Sequence, residues 1–181
     1  MIGVLVSGEG TNLQALVDAG LPVRAVASSR TGARALVRAE QAGIAAEVFE
    51  LDAYGSREER DEAMATWLAS KGVELVVCAG YMHLLTPVFL ERYPGRIVNV
   101  HPSLLPEFPG ARAIDDALEA GVETTGVTVH LVDEGLDTGD VIRQVPLPVE
   151  PRETLTERIH AVEHRLLPAV VRALLAERTA A

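Results

Sequence analysis

Ile97-Val98-Asn99-Val100-His101-Pro102-Ser103-Leu104-Leu105-Pro106-Glu107-Phe108-Pro109-Gly110 is the stretch around which the other segments of this 181-residue chain are organised. Its first residues are apolar and rich in β-branched side chains, the pattern of a buried strand. Asn99 and His101, two positions apart, fall on one face of that strand and are carried to its carboxyl end. The amide can donate to a developing oxyanion and the imidazole can carry a proton or a positive charge, so both suit one reacting atom. Pro102, Pro106 and Pro109 then fix φ and remove backbone donors, which predicts a rigid, irregular loop. Leu104 and Leu105 are expected to pin that loop down.

Outward toward the N-terminus, the chain repeats one rhythm. Ile2–Val6 is a compact apolar run that ends in Ser7-Gly8-Glu9-Gly10-Thr11-Asn12, after which Leu13, Leu16 and Val17 recur at helical spacing. This reads as strand, glycine loop, helix. A Gly-x-Gly turn opening a helix can present backbone N–H groups and the positive helix end to a phosphate, although a tight βα turn without a ligand has the same letters. Leu13 replaces the third glycine of a dinucleotide fingerprint and no Walker lysine follows, which counts against NAD binding and ATP hydrolysis. Val23–Ala27 predicts a second strand, Ala33–Ala42 a helix closed by Gly43, and Ala46–Leu51 a third strand. Ser56 with Glu59 forms a capping-box pattern for a helix running toward Gly72, and Glu74–Ala79 is the next buried strand. The alternation implies an α/β fold with an open, mostly parallel, Rossmann-like sheet and helices on both faces. In such a sheet ligands gather beyond the carboxyl ends of the strands, where Ser7–Asn12, Gly80–Leu85 and Asn99–His101 would all lie.

Toward the C-terminus, Thr86 and Pro87 read as the cap and first turn of a short helix, and Ala113–Ala120 as another helix ended by Gly121. Gly126–Val132 alternates as a half-buried strand, on which His130 reads as a structural residue. Val141–Val149 is extended but carries Pro146 and Pro148, which suits an antiparallel edge near the C-terminal part. Thr154 with Glu157 opens a last helix that Pro168 is expected to kink or interrupt.

The Asn-x-His-Pro-Ser-Leu-Leu-Pro segment followed by Pro109-Gly110 resembles the signature loop of the 10-formyltetrahydrofolate-dependent formyltransferase family, and Leu131-Val132-Asp133-Glu134-Gly135-Leu136-Asp137-Thr138-Gly139 resembles that family's acidic loop. Both motifs occur in the family's order and the likeness runs over nearly the whole chain as one formyltransferase domain, residues 1–181. The resemblance implies transfer of a formyl group from the co-substrate 10-formyltetrahydrofolate to the amine of glycinamide ribonucleotide, a step of purine biosynthesis. It implies Asn99, His101 and Asp137 as catalytic residues, the carboxylate favouring the charged form of the imidazole. It implies Gly10, Thr11 and Asn12 on the phosphate of the ribonucleotide, with Glu163 facing its amine. For the folate it implies Arg57, Met82, His83, Leu84 and Leu85, together with Asn99. Relatives commonly carry arginine where His83 stands.

The formal charge of −10 argues against a general nucleic-acid surface, while a small anionic substrate remains compatible through a few backbone N–H groups. The single cysteine, Cys78, lies in an apolar strand and reads as a small buried hydrophobe. The five histidines show no ligand-type clustering, so no metal is expected. The short first apolar run reads as a strand rather than a signal peptide, nothing later could span a bilayer, and a cytoplasmic location is expected. Related tRNA formyltransferases add a C-terminal domain and related deformylases an N-terminal one; neither is expected here. A non-catalytic nucleotide-binding module would need only the glycine loop, and Asn99, His101 and Asp137 together speak against it.

Overall fold

The computed structural model describes residues 1–180, with side chains as far as Arg178. The chain divides into two compact units, Met1–Asn99 and Val100–Ala181. In the first, strands β1 (Ile2–Val6), β2 (Val23–Ser28), β3 (Ala45–Val48), β4 (Leu75–Cys78) and β5, which starts at Ile97 and runs to His101, alternate with helices α1 (Thr11–Asp18), α2 (Arg34–Gln41), α3 (Arg57–Ser70) and α4 (Pro87–Arg92). All the strand pairs are parallel, in the order β3-β2-β1-β4-β5. The central strands β1 and β4 are buried along their whole length, as parallel strands covered by crossover helices must be. Cys78 lies within this core, where burial pushes its thiol up to about 12 and leaves it unreactive.

Local signals account for most boundaries. Ser56 accepts from the Glu59 N–H at the start of α3, while the Glu59 carboxylate accepts from the Gly55 N–H, a capping box displaced by one residue. Pro87 occupies the first turn of α4 behind the Thr86 cap position. The third strand is shorter than its sequence suggests, because Leu51–Ala53 turns into a 3-10 helix.

The second unit contains α5 (Ala113–Ala120), β6 (Thr124–Leu131), β7 (Val141–Pro148) and α6 (Leu155–Ala180). Strands β6 and β7 pair antiparallel, with a register shift at Val129/His130. The proline-bearing β7 is largely exposed, as expected of an edge segment. Pro168 does not interrupt α6, which continues unbroken through it. Leu155, Ile159, Leu167 and Val171 are fully buried on either side of that proline. Each such side chain contributes about 1.5–3 kcal/mol, which together outweigh the roughly 3 kcal/mol that an interior proline costs. No helix among the described residues is long and apolar enough to cross a membrane.

Candidate active site

The loop after β5 is rigid for reasons beyond its prolines. Thr128, buried on β6, donates its hydroxyl to the Ser103 carbonyl at 2.7 Å and accepts from the Leu105 N–H at 3.1 Å. Gln144 on β7 donates both to the Leu105 carbonyl and to the same hydroxyl. The Ser103 hydroxyl donates to the Glu107 and Phe108 carbonyls, closing the loop on itself. Phe108 sits at φ 52°, a left-handed conformation that costs a bulky side chain on the order of 1–2 kcal/mol. That conformation directs its carbonyl at His101 Nε2, 2.8 Å away.

His101 is 4% exposed, and its other ring nitrogen, Nδ1, lies 3.4 Å from Asp137 Oδ2. A carbonyl and a carboxylate can only accept, so both ring nitrogens face acceptors, an arrangement satisfied in full by an imidazolium. The acidic loop that delivers Asp137 is braced by Asp133, whose Oδ1 accepts from the Gly135 N–H and from the Thr138 hydroxyl. Asp137 itself adopts φ 55°, tolerated by aspartate better than by most residues. Its Oδ2 also accepts from the Gly110 N–H at 2.8 Å, which joins the acidic loop to the end of the proline loop.

The other oxygen of Asp137 meets a residue that the sequence reading took as structural. His130 Nε2 lies 3.6 Å from Asp137 Oδ1, and its Nδ1 lies 2.7 Å from the Leu131 carbonyl. The carboxylate is therefore flanked by two buried histidines. Burial pushes its pKa up, but the bond from His130, the Gly110 N–H and the charges of His101 and His130 outweigh it and hold it below the ordinary value. Asp137 is thus held ionised. His130 lies beside a register shift in the β6–β7 pairing, and alternation along the sequence reveals neither that shift nor the carboxylate that the ring meets.

In the first unit, Gly10 stands at the cap position of α1 with φ 71°, and a Cβ there would lie 2.6 Å from that of Ala35. The turn thus requires glycine for both conformation and space. Thr11 and Asn12 open α1, the latter 8% exposed. Arg38 on α2 donates to the Glu9 carbonyl, and the Ala35 N–H to that of Gly8, so α2 holds the glycine loop in place.

The Gly80–Thr86 segment is suspended at several points. The Ser7 N–H donates to the Gly80 carbonyl and the Ser7 hydroxyl accepts from the Met82 N–H. Arg57 donates to the Leu84 carbonyl at 2.8 Å, bringing two sequence-predicted folate positions together. Met82 and Leu84 are 62% and 44% exposed, an apolar pair that a flat heterocycle can cover. His83 is largely exposed between them, and partial desolvation of its ring together with the nearby Arg60 and Arg57 charges lowers its pKa, so it stays neutral to lower pH. Leu85, by contrast, is 6% exposed, and its side chain belongs to the core. Glu163 is buried on α6 in the second unit, and Asn99 is half-buried on β5.

The Formyl transferase family description matches residues 1–171. The phosphoribosylglycinamide formyltransferase of Mycobacterium tuberculosis is 45% identical over 178 residues, covering 94% of this chain and 83% of its own. The trifunctional purine biosynthetic protein adenosine-3 of Chironomus tentans is 42% identical over 182 residues, of which this chain spans only 13% of the length. Among solved structures, glycinamide ribonucleotide transformylase 1 from Symbiobacterium toebii superposes with a TM-score of 0.94 at 45% identity, covering 98% of this chain and 88% of that one. On these grounds the chain belongs to the formyl transferase family, with the mostly parallel α/β fold of its phosphoribosylglycinamide formyltransferase members.

Proposed function

We propose that this chain transfers the formyl group of 10-formyltetrahydrofolate to the amine of glycinamide ribonucleotide, giving formylglycinamide ribonucleotide and tetrahydrofolate in de novo purine biosynthesis. The observation that carries this reading is the His101–Asp137 pair, held between the proline loop and the acidic loop with both ring nitrogens of His101 on acceptors. The family membership supports it.

In this mechanism the amine attacks the formyl carbon, forming a C–N bond and a tetrahedral intermediate. The C–N10 bond then breaks, and the proton lost by the amine ends on N10 of the folate. The chain contributes position and charge. Asn99 donates to the oxyanion. His101, charged and fixed by Asp137 and the Phe108 carbonyl, stabilises the same oxygen and offers a proton, while Asp137 relays the proton leaving the amine. Gly10, Thr11 and Asn12 hold the ribonucleotide phosphate, and Glu163 faces its amine. Arg57, exposed Met82 and Leu84, the backbone of His83 and Leu85, and Asn99 hold the folate. Residues 1–181 act as one formyltransferase domain, in the cytoplasm, on small molecules, without metal and without nucleic acid.

The test is a competition assay with 10-formyltetrahydrofolate and three acceptors: glycinamide ribonucleotide, methionyl-tRNA and water. Formyl transfer to the ribonucleotide amine should dominate. Transfer to tRNA, or net hydrolysis, would overturn the assignment.

A further inference from the structure

Beneath the Gly80–Thr86 segment lies an ion pair that the proposed mechanism does not use. Arg60 and Asp61 are adjacent on α3 and both are completely buried. Arg60 Nε and Nη2 donate to Asp61 Oδ1 at 2.9 and 2.6 Å. Burying two charges is costly, and well-packed apolar residues of the same volume often serve stability as well or better. This pair is not optimised even as a pair, since Arg60 Nη1 is buried without a hydrogen-bond partner among the described residues. What it supplies, and an apolar pair cannot, is the second carboxylate oxygen. Asp61 Oδ2 accepts from the Thr86 N–H at 2.7 Å, inside the protein.

Thr86 closes the segment that carries Met82, His83 and Leu84. At the other end, the Ser7 hydroxyl takes the Met82 N–H at 3.0 Å, in a buried pair with the Ser29 hydroxyl. The exposed apolar residues are thus slung between two side-chain acceptors. The intervening Leu84 carbonyl is held by the exposed Arg57. We propose that Asp61, held in place by Arg60, is a positioning residue for the folate-binding segment: through the Thr86 N–H it sets the backbone on which Met82, His83 and Leu84 meet the folate. This inference rests on the folate reading given above.

The experiment separates the acceptor from the charges. Arg60→Met with Asp61→Leu removes both charges and the acceptor, whereas Arg60→Met with Asp61→Asn removes the charges and keeps an oxygen for Thr86. Titration calorimetry with tetrahydrofolate under argon gives the folate Kd, glycinamide ribonucleotide serves as the control ligand, and steady-state kinetics separate KM from kcat. The Met/Leu double variant should lose about tenfold in folate affinity, the loss expected for one buried hydrogen bond, with the defect in folate KM rather than kcat. The Met/Asn variant should recover to within about threefold of the unmodified protein. Arg60→Met with Asp61→Ala provides a second route, because the smaller side chain also removes the acceptor of the Thr86 N–H without crowding the backbone there. It should reproduce the Met/Leu defect even if that variant does not fold. Equal folate affinity in all variants, or equal weakening with and without the acceptor, would overturn the proposal. Failure of the unmodified protein to bind tetrahydrofolate would instead overturn the functional reading.

Discussion

Asp137→Asn is the sharpest perturbation of the proposed active site. Asparagine keeps the shape, tolerates the φ of 55° found here, and can still accept from the Gly110 N–H, so the fold should persist. What disappears is the charge 3.4 Å from His101 Nδ1. At an effective dielectric of about 20, unit charges at that separation interact by roughly 5 kcal/mol. Asp137 is 11% exposed and partly solvated, so about half of that is the better measure, some 2–3 kcal/mol. If the interaction is needed where charge develops, kcat should fall about 10²-fold. Binding of glycinamide ribonucleotide, measured directly by calorimetry, should change by less than about twofold, because the ground state gains little from this charge. His101→Ala should be comparably impaired, and the double variant little worse than the weaker single one, since the residues act as a unit. A kcat within about fivefold of the unmodified enzyme, or fully multiplicative losses in the cycle, would refute the coupled pair.

Gly10→Ala would force a Cβ to 2.6 Å from that of Ala35 at φ 71°, so urea unfolding should show a loss of about 2–3 kcal/mol and the ribonucleotide KM should rise. Arg57→Ala removes the donor to the Leu84 carbonyl; the folate KM should rise about 3- to 10-fold with the ribonucleotide KM unchanged, and an unchanged folate KM would remove Arg57 from the pocket. Because the folded-state pKa of Asp137 lies below its ordinary value, the carboxylate contributes stability that is fully present above the unfolded pKa near 3.9 and is lost as pH falls through the folded value. Thermal unfolding from pH 6 downward should therefore show a steeper acid decline for the unmodified protein than for Asp137→Asn, and parallel curves would contradict the assignment.

The alternation of apolar runs with capped, periodic segments was legible in the sequence because each signal is local. Ile2–Val6 reads as a strand from its own letters, Ser56 and Glu59 announce a helix start three residues apart, and Pro146 and Pro148 restrict the segment that forms β7. The candidate loop was legible too, since three prolines in eight residues leave the backbone few conformations. Other features arise only when distant segments pack. Pro168 sits within an unbroken helix because the buried side chains before and after it outweigh a local penalty. His130, beside a register shift in β6, is a neighbour of Asp137, and Leu85 turned inward while Met82 and Leu84 turned out. The Asp61 acceptor reached Thr86, 25 residues further along the chain. Propensity and periodicity act over a few residues and are written in the order of the letters. The partner of a buried charge or a ring nitrogen is set instead by register and side-chain direction, which exist only once the strands and helices have packed.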